Sequence, residues 1–345
     1  MPIEQATTAT PTAIANRASW PFLRRVFNAP ERSVMRRIEA WTTLSQSGDP
    51  SVRTRPNSPT FPGRRRPGIW GSSRVYWENM LGGTRRTPKF TGMVWKDGRV
   101  IPGRLNLPSG PLVVSKRIDS FTCDLTDIQG ITASRSEDRH FDSVHDFGQD
   151  FCVYEQAEVT EAGLASMLRW FEVRLINSPG SDHLCIALWD PRLHVANGGG
   201  SHHLAGAAFI SRRLGKAVPI EERLIVSAFN PKAWARLLEE YWVLQEPPKA
   251  KGWHRHAVAE LLGCCFIQKI PESLGGGNLI LLPRHNAASA DVVSVLVGRG
   301  AMDVSANFVE ILRVQESAIV PLCERLPQLA PHLTDIAAWG DANDH

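Results

Sequence analysis

The run Leu193-His194-Val195-Ala196-Asn197-Gly198-Gly199-Gly200-Ser201-His202-His203-Leu204-Ala205-Gly206-Ala207-Ala208 decides how this chain is read. Four residues of strand character lead into three glycines, and a helix of small residues follows. Glycine takes φ > 0 without penalty and lets a backbone approach closely. The helix start presents unpaired N–H groups and the positive end of its dipole. Together these features make an anion or phosphate cradle. In that reading Gly198, Gly199, Gly200 and Ser201 hold the phosphate, and His202 and His203 donate hydrogen bonds or relay protons. The other reading is a tight turn in which Ser201 caps the helix and the histidines lie at the surface. The run is neither a P-loop nor a dinucleotide fingerprint.

Outward from this run, the pattern alternates strands and helices. Residues 183–189 (HLCIALW) read as a buried strand, and Asp190-Pro191 as the turn that returns it to Leu193. The helix from Ser201 runs to Leu214 and stops at Gly215. A strand is expected over 223–228, a helix opened by Pro231 over 231–242, a short helix over 254–262 ended by Gly263, and a strand over 278–282. Upstream, Thr160 caps a helix over 160–171. Residues 91–114 read as short strands with turns at Lys96-Asp97-Gly98 and Pro108-Ser109-Gly110. The tail from Ser305 is helical, with breaks at Pro321, Pro327 and Pro331. The fold class that follows is α+β, a small mixed sheet with packed helices.

Composition narrows the function classes. The chain has 345 residues, is 43% hydrophobic and 21% charged, and has a formal net charge of +4. This is an ordinary globular composition, which argues against wholesale disorder. No apolar stretch is long enough to span a membrane, and the first 30 residues lack the apolar core of a secretory signal. Six cysteines are too few for a disulfide scaffold, so a cytoplasmic protein is expected. The charge is unevenly spread. Residues 1–117 hold 20 Lys+Arg against 6 Asp+Glu, a net +14, and the remainder is net −10. Residues 5–15 read as a mobile terminus, 20–42 as a segment with a short amphipathic helix from Pro30, and 43–69 as a Ser/Pro/Gly/Arg-rich linker. The expected organisation is a basic, largely irregular arm over 1–69, an α/β body over 70–285 and a helical region over 286–345. Trp70, Tyr76, Trp77, Phe90 and Trp95 lie among Arg74, Arg85, Arg86 and Lys89, a mixture that suits nucleic acid or a solvated loop beside core aromatics.

The remaining constellations carry less chemistry. His254 and His256 do not share a helix face. Cys264-Cys265 read as core. The cluster Asp138-Arg139-His140-Phe141-Asp142 with His145-Asp146 is a polar loop or a metal site. Gly275-Gly276-Gly277 precedes a strand and reads as a connection. No C-x-x-C, H-E-x-x-H or G-x-S-x-G occurs.

The stretch Gly199-Gly200-Ser201-His202-His203, with Ala207-Ala208 and Leu214-Gly215-Lys216-Ala217-Val218-Pro219-Ile220 downstream, resembles the signature of the ParB/sulfiredoxin superfamily. The resemblance covers about residues 170–230. It implies a strand, a turn and an Ala-rich helix that bind nucleotide phosphates. The family's usual Arg falls on His203, and Ser201 stands where sulfiredoxins carry their Cys nucleophile. Sulfinic-acid reduction is therefore not expected, and no counterpart of a second nucleotide motif is found. Arg192 and Arg174 are the candidates to replace the missing guanidinium. Glu172, Asp182 and Asp190 are the candidate carboxylates, with Asp190 taken as the catalytic partner of His202 and His203. The implied function is a nucleotide- or nucleic-acid-phosphate-binding protein, as a phosphotransferase or nuclease, with a nucleoside triphosphate and Mg²⁺ as cofactor. The alternative is a non-catalytic interaction protein that binds nucleic acid or an acidic partner through its basic N-terminal region.

Overall fold

The computed structural model describes residues 68–70, 77–81, 90–105, 110–246, 255–270, 276–298 and 300–340. The expected arm over 1–67, with its helix from Pro30, lies outside the described residues, as do Arg74, Tyr76, Arg85, Arg86, Lys89, His254 and Gly275. The first elements are α1 (Trp77–Leu81), β1 (Thr91–Lys96), β2 (Arg99–Arg104), β3 (Val113–Asp124) and β4 (Gly130–Ile131). Next come α2 (Val144–Tyr154), α3 (Glu161–Leu168), α4 (Arg174–Asn177), β5 (His183–Ala187), β6 (Asp190–Ala196), α5 (Ser201–Leu214) and β7 (Pro219–Phe229). The rest is α6 (Pro231–Glu240), β8 (Tyr241–Glu246), α7 (Arg255–Leu262), β9 (Cys264–Lys269), β10 (Asn278–Pro283), α8 (Ser289–Val297), β11 (Met302–Asp303) and α9 (Ser305–Arg325). The fold is α+β. No helix among the described residues is long and apolar enough to cross a membrane.

Two compact units are built from separated segments. Among the described residues, the first combines 90–105, 235–246, 255–270, 276–298 and 300–306. Its sheet is antiparallel throughout, in the order β11-β8-β10-β9-β1-β2. β1 and β2 join through Asp97 and Gly98, both at positive φ, the geometry that matches the twist of a tight hairpin. Val258 and Leu262 of α7 and Val292 and Leu296 of α8 share a buried cluster with Leu244, Cys265, Ile267, Ile280 and Leu282 of the sheet. Cys264 and Cys265 are buried in β9, as expected of core residues, and burial pushes the Cys264 thiol up to about 12. None of the six cysteines is paired. This second sheet was not anticipated. Its strands at 241–246 and 264–269 abut helices, and short apolar runs cannot be told from helix ends by periodicity. Tyr241 and Trp242 accordingly belong to β8, where they pair with Pro283 and Leu282, and α6 stops at Glu240.

The second unit combines, among the described residues, 68–70, 77–81, 110–234 and 307–340. Its sheet is mixed, in the order β3-β7-β5-β6-β4. β7 lies parallel to β5 and antiparallel to β3, while β6 lies antiparallel to β5 and parallel to β4. Helix α5 supplies its core face with Leu204, Ala205, Ala207, Ala208 and Ile210, all buried. The end of α5 at Gly215, with φ 62°, is where the sequence places it. Ser143 caps α2 by accepting the Asp146 N–H, and Thr160 caps α3 by accepting the Gly163 N–H. Asn230 accepts the N–H groups of Lys232 and Ala233 and so starts α6 with Pro231 in its first turn. A second aromatic cluster joins Trp77, Phe229, Trp234 and Phe308, with Trp234 stacked on Phe308 at 4.1 Å.

Three sequence expectations need correcting here. Asp190-Pro191 is not the hairpin turn. Leu188 and Trp189 turn the chain, and Asp190 opens β6 opposite Ala187. The helix after Thr160 ends at Leu168, which leaves Phe171 outside it. Helix α9 runs through Pro321 instead of breaking there. Pro321 and Ser317 are both exposed, so the Ser317 carbonyl that loses its helical N–H partner can turn to water. One turn earlier in that helix, buried Gln315 does the work of a strand. Its carboxamide accepts the Phe229 N–H at 2.7 Å and donates to the Phe229 carbonyl at 2.9 Å.

The packing of α2 on α5 depends on Gly148. A Cβ there would lie 2.0 Å from the Ala205 carbonyl oxygen, and that backbone cannot yield. At Gly206 a Cβ would meet only side-chain atoms of Phe151, Met167 and Cys152, at 3.2–3.4 Å. Both glycines are helical, so alanine gains about 1 kcal/mol of propensity at either. Gly206→Ala should therefore fall within about 1 kcal/mol of wild type. Gly148→Ala should cost about 3 kcal/mol or more, since the helices must separate. Urea unfolding of the two variants checks this, and equal costs would show that the α2–α5 approach is not the tight one.

Candidate functional site

The topology, more than the glycines, makes the site. Because β4 and β6 are parallel, with Gly130 opposite His194 and Ile131 opposite Val195, their C-terminal ends leave the sheet at the same edge. The segment after β4 (Thr132 to Ser136) therefore runs beside the segment after β6 (Asn197 to His202). Asn197 ties them together. Its N–H donates to Thr132 Oγ1 at 3.1 Å, and its side-chain oxygen accepts the Ala133 N–H at 3.1 Å. Its side-chain nitrogen donates to the carbonyls of Ala133 and Gly199, both at 2.9 Å. Buried Asn197 thus spends its hydrogen-bonding capacity on shaping the turn.

The glycines answer to the chain's own packing. Gly200 is left-handed, with φ 67°, and a Cβ there would sit 2.3 Å from the Glu172 carbonyl oxygen. A Cβ on Gly198 would lie 2.5 Å from Arg174 Nη1, and the Gly198 N–H already donates to Asp182 Oδ1 at 3.1 Å. Glu172 and Asp182 therefore put two carboxyl groups against residues 198–200. The close approach that the glycines permit is made by residues 172–174 and 182. Burial raises the carboxyl of Asp182 above its ordinary range, against the lowering effect of the Gly198 N–H and the Arg174 charge.

The open side of the helix start carries hydroxyls and imidazoles. Ser201 is the first helical residue and does not cap; the N-cap is Gly200. Buried Ser201 instead donates its hydroxyl proton to Ser134 Oγ at 2.9 Å, and Ser134 Oγ also accepts the Ser136 N–H at 3.2 Å. His202 Nε2 lies 3.0 Å from Ser136 Oγ, and its Nδ1 lies 3.4 Å from Ser201 Oγ. Its ring packs against Phe147 and Phe151, at 5.0 and 5.2 Å. His203 is stacked on Trp170 at 4.3 Å, with the rings 4° from parallel, and meets Phe151 edge-on at 5.1 Å.

Asp190 and Arg192 belong elsewhere. They sit at the other end of β6, and the seven residues from Asp190 to Asn197 span about 23 Å at strand rise. There Asp190 accepts from Arg192 through both carboxylate oxygens, at 2.6 Å each, and Arg192 also donates to the Gly68 carbonyl. Neither reaches the histidines, so the expected grouping of Asp190 with His202 and His203, and of Arg192 with the glycine turn, does not form. The other sequence candidates are surface pairs. His140 meets Asp142 at 3.0 Å, and His145 lies 3.8 Å from Asp146. Among the described residues no three His, Cys, Asp or Glu side chains are grouped to hold a metal ion. Sequence reasoning missed Ser134, Ser136, Asn197 and Trp170. The polar run Thr132-Ala133-Ser134-Arg135-Ser136 was the available signal, but nothing in it points 66 residues downstream.

Burial is the first cause that lowers the pKa of both His202 and His203. For His202 the charges of Arg135 and Arg139 lower it further, against Asp150 and Glu155. Both imidazoles are therefore neutral at pH 7. The unfolded chain takes up their protons more readily, so this stability is complete above pH about 6.5 and is lost as pH falls through the folded values. The thermal midpoint should fall between pH 7 and pH 5, and His202→Gln combined with His203→Gln should flatten that fall. Half-buried His183, lowered in the same direction, keeps a residual slope. A profile unchanged in the double variant would show that the pair titrates in the fold as it does in the unfolded chain.

The profile of a family of unknown function (DUF6685) matches residues 118–319, a span that contains the mixed sheet except the start of β3, the glycine turn and the Ser/His cluster. Comparison with curated proteins and with solved structures gives no match. The matched span is more than half of the chain, and the protein belongs to the DUF6685 family.

Proposed function

We propose that this protein binds a phosphate-bearing ligand, a nucleotide or a nucleic acid, at the start of α5. The observation that carries the reading is the convergence of Ser134 and Ser136 with Ser201 and His202 at the positive end of a 14-residue helix. Ser134 Oγ already accepts from Ser201, so its own hydroxyl proton is left to donate to a phosphate oxygen, and the partly exposed Ser136 hydroxyl can donate beside it. Exposed Arg135, between the two serines, supplies a full positive charge at the same edge. The carboxyl groups of Glu172 and Asp182 are turned to the glycine turn, which moves the phosphate from Gly198 and Gly199 toward the serines. The likeness of residues 199–203 to the ParB/sulfiredoxin turn supports the same ligand class. With Mg²⁺ and a nucleoside triphosphate, phosphotransferase or nuclease chemistry is the activity this site would support.

An interaction role has its own observation. Val153 and Tyr154, adjacent at the end of α2, are 73% and 81% exposed. Thermal unfolding of the full chain separates the two readings. ATP, CTP, GTP, ADP, inorganic phosphate and a short DNA are each added with and without Mg²⁺. A ligand at 100 times its Kd adds about 2.7 kcal/mol. The phosphate reading expects a stabilisation by at least one of these that is lost in Ser134→Ala and weakened in Arg135→Ala. No stabilisation by any of them would overturn it and favour the interaction role.

A further inference from the structure

The cluster just described contains a pair that binding alone does not require. We infer that Ser136 is a nucleophile activated by His202, and that the protein cleaves or transfers phosphoryl groups through a seryl intermediate. The inference rests on the phosphate reading for its substrate class, a phosphate ester or anhydride. It rests on geometry of its own for the nucleophile.

That geometry fixes the tautomer. Ser201 gives its hydroxyl proton to Ser134, so its oxygen is left as an acceptor facing His202 Nδ1. The Nδ1 proton is thereby placed, and Nε2 is left with its lone pair. That lone pair faces Ser136 Oγ at 3.0 Å, within reach for proton abstraction. Phe147 and Phe151 hold the ring from the side, and Ser201 takes the orienting place that a carboxylate fills in the usual nucleophile–base–orienter arrangement. Ser136 is itself positioned, since its N–H donates to Ser134 Oγ and its carbonyl accepts the Arg139 N–H at 3.0 Å. It is also partly exposed, as a nucleophile must be. The charged groups acting on His202 are Arg135 and Arg139, which lower its pKa and so keep the ring unprotonated and open to a proton, and Asp150 and Glu155, which oppose them. Arg139 is paired with Asp150 at 2.8 Å, which leaves Arg135 as the cation beside the serine.

The step balances without a redox partner. As the bond from Ser136 Oγ to phosphorus forms, the hydroxyl proton passes to His202 Nε2. The phosphorus–oxygen bond to the leaving group breaks, and the leaving oxygen takes the proton from the imidazolium. Water then attacks the seryl phosphate, giving a proton to His202, and Ser136 Oγ departs and recovers it. An acceptor alcohol in place of water gives transfer.

A fluorophosphonate traps such a serine, forming the oxygen–phosphorus bond as fluoride leaves. The full-length protein is labelled over pH 5–8, and the adduct is located by intact mass and peptide mapping. Nucleotide stabilisation is measured on the same samples. The expected result is one adduct, on Ser136, absent in Ser136→Ala and slowed at least about 100-fold in His202→Gln. Its rate should rise with pH to a plateau whose midpoint lies below 6.5, as the lowered imidazole requires. Ser136→Cys gives a second measure that survives if Ser136→Ala unfolds. Its thiol should react with iodoacetamide at neutral pH, and His202→Gln should slow it. Nucleotide stabilisation with no adduct on Ser136 overturns the nucleophile and leaves the binding reading standing. An adduct on Ser136 without nucleotide stabilisation keeps the nucleophile and overturns the phosphate ligand. Neither signal overturns both.

Discussion

The packing around both imidazoles depends on one steric constraint, the approach of α2 to the backbone of α5 at Gly148 and Ala205. Helices this close need a residue without a Cβ at the crossing. The neighbours of Gly148 on α2, Phe147 and Phe151, then fall against His202, and Phe151 also meets His203. The aromatic wall desolvates both imidazoles, and desolvation is the leading reason that they are neutral. A packing decision in the helical layer thus sets the protonation state at the helix start.

The glycine turn shows why a motif and a site are different objects. Three glycines next to a helix start are what a phosphate loop needs, and also what a crowded turn needs. Here Glu172 and Arg174 fill the space the glycines leave, and Asp182 consumes one of the amides. Two carboxyl groups in that position oppose an anion. The hydroxyls donated by the neighbouring strand's exit do not. Chemistry at this edge therefore follows from the parallel pairing of β4 with β6, a two-residue ladder that sets Ser134 and Ser136 beside Ser201 and His202.

Much of the fold was legible because local signals were strong. The strand at 183, the helix from Ser201 to Leu214 with its Gly215 stop, the cap at Thr160 and the helix start at Pro231 all rest on neighbours within a few residues. The α+β class followed from them. In the antiparallel sheet of the other unit, the β1–β2 hairpin with its turn at Lys96-Asp97-Gly98 and the strand at 278 were legible, whereas β8 and β9 were not, because they are short apolar runs whose partners lie far along the chain. At the site the histidines and Ser201 were found and their partners were not. Asp190 lies near His202 in sequence but at the opposite end of a strand, while Ser136 is 66 residues away and in contact. Sequence distance along a strand misleads because every residue adds about 3.3 Å of real separation.

Gln315 and the segment that carries it have a consequence for how the chain is made. The mixed sheet's unit is discontinuous and includes residues 307–340, and the Phe229 amide and carbonyl find their partner in Gln315, 86 residues later. A ribosome delivering the chain from its N-terminus exposes the finished strand β7 well before that carboxamide exists. Until it arrives, the end of β7 is an open sheet terminus with unmet polar groups, available to water or to any other strand. The late helix thus closes the end of β7. Its side-chain amide seals the sheet as a backbone would, after all five strands have been made.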